Sequence, residues 1–182
     1  MTNVLNGTVA ASPNTVSRGT IVRIRLRTLG DQPPTPLDEQ VIATGFAERT
    51  DPAALVVGPT GDGLGANGTL YVADSVDNRI AAIPAALVRT SPVGQGGLTL
   101  TSGGHLNDPL GLTIAPNGDI LTANGGDGNL VETTPVGRQV EEQQIDNNNG
   151  NGAGDLFGIA VPTNHNGVLF VDDFDNTLRL LH

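Results

Sequence analysis

This sequence predicts an all-β fold, an open β-propeller of about three and a half four-stranded blades, and three observations predict it. The first is composition. In 182 residues there are 25 Gly and 12 Pro with 3% aromatics, which suits many turns and short strands better than a helical bundle. The second is recurrence. The segments 51–83, 108–133 and 154–181 each read as a short apolar run, a turn ending in Gly, a second apolar run, an Asp/Asn turn and a third run. Their turn glycines Gly68, Gly118 and Gly167 stand 50 and 49 residues apart, close to the ~40–50 residues of a propeller blade. The third is turn chemistry. Asn6-Gly7, Asn67-Gly68, Asn117-Gly118 and Asn166-Gly167 each sit between apolar runs, and Asn-Gly marks a tight hairpin because both residues accept positive φ.

Element by element, the chain divides into blade pieces 1–46, 51–102, 108–145 and 154–182 of a single unit. In the first, "NGTVAAS" (6–12) matches "NGTLYVA" (67–73) and is expected to be a strand, followed by "GTIVRIRL" (19–26) and an outer strand "EQVIATGF" (39–46). "IVRIRLR" alternates, with Arg23, Arg25 and Arg27 on one face and Val22, Ile24 and Leu26 on the other. A peripheral strand with a solvated Arg row explains it, and an anion-binding stripe is the alternative. "GDQPPTPLD" (30–38) reads as a surface loop. The runs "AALVV", "LGLTI" and "FGIAV" are nearly continuous apolar stretches, as inner strands buried on both faces should be. Outer strands are expected at 97–102 and 138–145, and "PAALVRT" (84–90) has room for one helical turn at most.

Charge and residue usage narrow the function classes. A net charge of −10 and a pI near 4.4 argue against nucleic acid or an anionic membrane surface as partner. With no Cys there is no disulfide and no thiolate site. No run approaches the ~18 apolar residues of a membrane helix, and the N-terminus has neither a charged nor an apolar signal region.

The pattern of an apolar strand, "PNG", and "LYVADSVDNRI", with "DPLGLTIAPNGDIL", "DGNLVETTP" and "LFVDDFDNTLRLLH", resembles the NHL-repeat six-bladed β-propellers, specifically the C-terminal half of a group of uncharacterised bacterial members. The similarity spans nearly the whole chain. It implies a longer, exported, periplasmic or secreted full-length form. Counting strands gives about fourteen where a closed six-bladed ring has roughly twenty-four, with the first blade lacking its inner strand. The expected partners are therefore an N-terminal propeller half, with this chain a fragment, or a second copy that closes the ring. An open arc held by nearest-neighbour contacts is the third possibility.

Candidate site residues fall into two sets. Asp74, Asp77 and Asn78, echoed by Asn124, Asp127 and Asn129 and by Asp173, Asp175 and Asn176, recur in every clear repeat. Asx side chains bond nearby amides, so Asp74, Asn78, Asn124, Asn129, Asp173 and Asn176 are read as structural turn residues. Asp51, Asp108 and Asp155 precede the apparent inner strands, and His105 stands just before Asp108. These four could line the mouth of the central channel and bind a small ligand or a protein; the three Asp could equally cap the strand entries.

Related propellers, amidating lyases among them, hold a metal with His at this level. That resemblance supplies the alternative function, a metal-dependent lactonase or lyase using calcium or zinc whose site needs the absent half. His105 lacks matching His in the other repeats, His165 and His182 look solvated, and no cofactor is expected on the leading reading.

"DNNNGNGAGD" (146–155) begins like a calcium loop at Asn147, Asn149, Asn151 and Gly152, but the twelfth position is Gly158 instead of a bidentate acid. "GLGANG" (63–68) fits G-x-G-x-x-G yet leads into a strand, so no helix N-terminus can hold a pyrophosphate. No catalytic residue is assigned. The leading function is a non-catalytic scaffold that binds a small ligand or protein at its channel mouth.

Overall fold

The computed structural model describes residues 1–52, 54–148, 150–164 and 166–182. Ala53, Asn149 and His165, each part of a reading above, lie outside the described residues. The described residues form four small antiparallel sheets arranged as an open β-propeller.

The first sheet holds β1 (Thr2–Asn3), β2 (Val16–Arg27), β3 (Thr35–Asp51) and β4 (Leu55–Val57), in that order. The second holds β5 (Pro59–Leu64), β6 (Leu70–Asp74), β7 (Arg79–Ile83) and β8 (Leu98–Ser102). The third holds β9 (Pro109–Ile114), β10 (Ile120–Asn124), β11 (Asn129–Thr133) and β12 (Gln139–Gln144), and the fourth β13 (Leu156–Ala160), β14 (Val168–Asp172) and β15 (Thr177–Leu181). Each later sheet is a meander, as the hairpin turns dictate. Gly68, Gly118 and Gly167 adopt φ of 76°, 92° and 88°, the left-handed region where glycine avoids a Cβ clash.

Two expected strands are displaced. Residues 6–12 do not form a strand. Gly7, at φ 92°, opens a short helical turn, α1 (Thr8–Ala11), in which the Thr8 hydroxyl donates to the Val4 carbonyl. Thr2–Asn3 takes the edge of β2 instead. Two alanines favour the helical turn, and the Asn6 amide is already committed to the Arg18 carbonyl (2.8 Å).

The second correction concerns the inner strand of the second blade, which is β5 and not "AALVV". Leu55–Val57 folds back on the end of β3. The reason is distance along the chain. An inner strand must end a few residues before its Asn-Gly turn, and Leu64 precedes Asn67 by the same three residues as Ile114 precedes Asn117. β3 also reaches into the expected 30–38 loop, beginning at Thr35, and 84–90 forms turns without helix.

Three apolar clusters lie between successive blades. Ile21, Ile42 and Phe46 of the first meet Val72, Ala81 and Ile83 of the second. Tyr71, Ala73 and Ile80 then meet Leu112, Ile120 and Val131 of the third. Ala123 of the third meets Leu156 and Phe170 of the fourth. At the inner strands the blades approach so closely that only glycine fits. A Cβ on Gly61 would collide with the Leu110–Leu112 backbone, and one on Gly111 with the Phe157 carbonyl. Hydroxyls stitch the same seam, Thr60 donating to Leu110 O (2.8 Å) and Ser75 to Pro109 O (2.7 Å).

Candidate functional site

The inner strands β5, β9 and β13 converge on a concave space of about 280 Å³. Its walls are Thr60 and Gly61, Leu110 to Leu112, and Phe157 to Ile159, with Ala54 beside them. Such a surface offers apolar contact and backbone polar groups, suited to an uncharged, flat molecule.

The expected site residues occupy different places around this space. Registering each inner strand on its neighbour pairs Pro59 with Asp74, Pro109 with Asn124 and Leu156 with Asp172. The positions just before them are therefore Gly58, Asp108 and Asp155. Asp51 is not the equivalent of the other two. It lies at the end of β3, where the Arg49 guanidinium bonds it at 2.9 Å and the Ala54 N–H donates to it.

Asp108 has φ 52°, donates its N–H to Asn78 Oδ1 (3.1 Å) and accepts from the Gly125 N–H (2.9 Å). Burial pushes its carboxyl up from the usual range; Arg49 opposes that and Asp51 adds to it, so Arg49, Asp51 and Asp108 share one electrostatic neighbourhood. Asp155 is fully buried, its carbonyl accepting from the Asp173 N–H (2.8 Å), and both its carboxylate oxygens lack a hydrogen-bond partner among the described residues.

His105 goes elsewhere. Its Nδ1 is 2.6 Å from Glu142 on the outer strand β12, and its N–H donates to Gln139 of the same strand. Its side chain is half exposed, and these contacts tie it to the blade's outer strand. Among the described residues no group of three or more His, Asp or Glu is arranged to hold a metal ion.

The turn residues bind the blades together. Asn78 Nδ2 donates to the Leu106 carbonyl (2.9 Å), so the turn of one blade fixes the loop that leads into the next. Asn124 donates to the His105 carbonyl (2.7 Å) and so holds the loop that leads into its own blade. Asn129 donates to Glu142 (2.7 Å), and its own Oδ1 accepts from no donor among the described residues. Asp173 accepts from the Asn176 N–H (3.3 Å), and Asn176 repeats the positive φ of Asn78 (54° and 49°). Asp74 is buried against Arg79 Nε at 2.9 Å, and Arg79 also donates to Thr99 and Gly96 and lies over the Phe46 ring. Burial, partly offset by Arg79, raises the Asp74 carboxyl to about 6. The sequence pairs Asp74 with Arg79 only once their antiparallel register is known.

No family model matches the chain, and no curated protein matches it. Solved structures do. Regucalcin, a calcium-binding protein from Agrobacterium tumefaciens, aligns over 75% of this chain and 46% of its own at 16% identity, with a TM-score of 0.51. A streptogramin B lyase aligns over 87% and 53% at 14% identity (TM-score 0.50), and a luciferin-regenerating enzyme over 90% and 67% at 13% identity (TM-score 0.50). The fold is that of a β-propeller. The chain spans about half to two thirds of the length of these neighbours.

Proposed function

We propose that this chain is a non-catalytic NHL-type propeller scaffold that holds a small, uncharged, largely apolar ligand against its inner strands. The observation that carries this reading is the concave space of about 280 Å³, walled by Leu110, Leu112, Phe157 and Ile159 and by the bare backbone at Gly61 and Gly111. Rigid glycine-lined strands give a preformed surface, which lowers the ordering cost of binding. The Arg49, Asp51 and Asp108 group, which shares electrostatics with one of these inner strands, supplies a polar anchor for one end of a ligand.

The test is a set of uncharged aromatic and aliphatic fragments titrated into isotope-labelled protein and followed by amide shifts. Shifts centred on Gly61, Gly111 and Gly158, abolished in Leu110→Trp, support the site. Shifts scattered over the surface, or none, overturn it.

A second reading is favoured by one feature, the unpaired buried carboxylate of Asp155. A group so desolvated is stabilised by a cation, as the divalent-metal alternative requires. Calcium or zinc titration with the Asp155 and Asp173 amides as reporters decides it: saturable shifts there favour a metal-dependent site, and their absence removes it.

A further inference from the structure

An Asn-Gly pair stands at a corresponding place in each blade piece, and in three of them hydrogen bonds tie the pair down. In the second blade the Gly68 N–H donates to the Gly65 carbonyl (2.9 Å). Asn67 Oδ1 accepts from the Thr69 N–H (2.9 Å), and its Nδ2 reaches the Tyr71 hydroxyl (3.4 Å). In the third blade the Gly118 N–H donates to the Ala115 carbonyl (2.9 Å). Asn117 Oδ1 accepts from the Asp119 N–H (3.0 Å), and its Nδ2 donates to Asp119 and Glu132. In the first blade the Gly7 N–H donates to the Leu5 carbonyl (3.0 Å) and Asn6 Nδ2 to the Arg18 carbonyl (2.8 Å).

The fourth pair is left open. Asn166 is exposed, and among the described residues neither its side-chain amide nor the Gly167 N–H has a hydrogen-bond partner. The main-chain N–H of Asn166 donates to Asn164 Oδ1 (3.1 Å), a bond that leaves both of those groups alone. The reason is loop length. The segment between paired strand residues is 161–168 here, against 65–69 and 115–119 in the two preceding blades. A longer loop relieves the strand ends of closing the tight turn that fastens the glycine N–H. Gly167, at φ 88°, also has no side chain to shield its nitrogen. Every bond that holds the other pairs lies within its own blade, so the difference does not depend on what adjoins the fourth.

We propose that Asn166 is a site of spontaneous covalent modification, closing onto Gly167 and converting to a mixture of aspartyl and isoaspartyl residues. The Gly167 nitrogen attacks Asn166 Cγ, so an N–Cγ bond forms. The Cγ–Nδ2 bond breaks, and ammonia leaves with the proton that the Gly167 nitrogen gives up. Water then opens the five-membered imide. Cleavage at Cγ gives aspartate, and cleavage at the main-chain carbonyl gives isoaspartate; nothing is oxidised or reduced. Either product places a negative charge in the β13–β14 turn, and the isoaspartyl form adds a methylene to its backbone. The inference stands apart from the ligand reading, since it needs nothing of the inner wall.

The test is a time course of the full chain in warm, mildly alkaline buffer, followed by peptide mapping with mass spectrometry. In the three held pairs the bonds on the attacking N–H or on the amide must break before the ring can close. Conversion at Asn166 should therefore run about tenfold faster than at Asn6, Asn67 or Asn117. Comparable rates at the four positions overturn the proposal. In urea, where the turns are lost, the four rates should converge. If Asn166 keeps its lead there, neighbouring sequence and not the open turn sets the rate, and the proposal is wrong. Methyl labelling of the Asn166 peptide by an isoaspartyl carboxyl methyltransferase reports the ring-opened product with the inserted methylene. Conversion without any label means direct hydrolysis of the amide and overturns the ring-closing step.

Discussion

The hairpins of the second and fourth blades begin from the same pattern and reach opposite electrostatic solutions. In the second, Asp74 is paired with a single Arg79 inside the protein, and burial outweighs the pairing, so the carboxyl is raised to about 6. In the fourth, burial again opposes ionisation of Asp172. There the Asp175 N–H, the Asp146 carboxyl and Arg179 together prevail and hold it below the usual range. The third blade avoids the problem with neutral Asn124 and Asn129. A repeated turn therefore fixes geometry, while the charge placed on it is set by which neighbours the blade can reach.

The sharpest break in this comparison is Arg79→Leu. It strands Asp74 in the interior and should cost about 4 kcal/mol, read as a lower urea midpoint. Arg179→Leu removes a partly exposed guanidinium but leaves the buried Asp172 and Asp146 beside one another, and should cost about 2 kcal/mol.

Next comes pH. The raised carboxyl of Asp74 binds its proton more tightly in the folded protein. Its stabilising contribution is complete below pH 3.8 and is lost as pH rises through about 6. The change is about 3 kcal/mol. Asp172 acts in the other direction: its contribution is present above pH 3.8 and lost as pH falls through its lowered value. Urea midpoints across this range should flatten in Asp74→Asn. An unchanged slope would mean that Asp74 does not titrate as its burial requires.

Converting the third blade to the charged pattern by Asn124→Asp removes the donor to the His105 carbonyl and buries a new carboxylate. The expected loss is about 2 kcal/mol. The smallest effect is at the surface, where His105→Ala breaks only an exposed contact with Glu142 and should cost under about 1 kcal/mol. A larger loss would show that the loop before β9 depends on that imidazole.

Much of the architecture was legible from the spacing of Asn-Gly turns, because a tight hairpin forces antiparallel neighbours and two nearly equal spacings imply equal blades. "LGLTI" and "FGIAV" were placed correctly by that logic. "AALVV" was misplaced because hydrophobicity outweighed its distance from Asn67. The same misalignment put Asp51 in one series with Asp108 and Asp155, where Gly58 belongs. "NGTVAAS" copied a strand in letters and folded as a helical turn, since local similarity cannot say whether a pairing edge is within reach.

The sequence alone determined the strand repeat, the turn glycines and the Asx residues at each hairpin, all of which depend on neighbours a few positions away. Only the tertiary structure decided what those residues meet. It placed Arg79 on Asp74, Asn78 on the following loop and His105 on an outer strand. Those contacts join residues far apart in the chain, and their energies depend on burial and on the distance between blades, which no local pattern encodes.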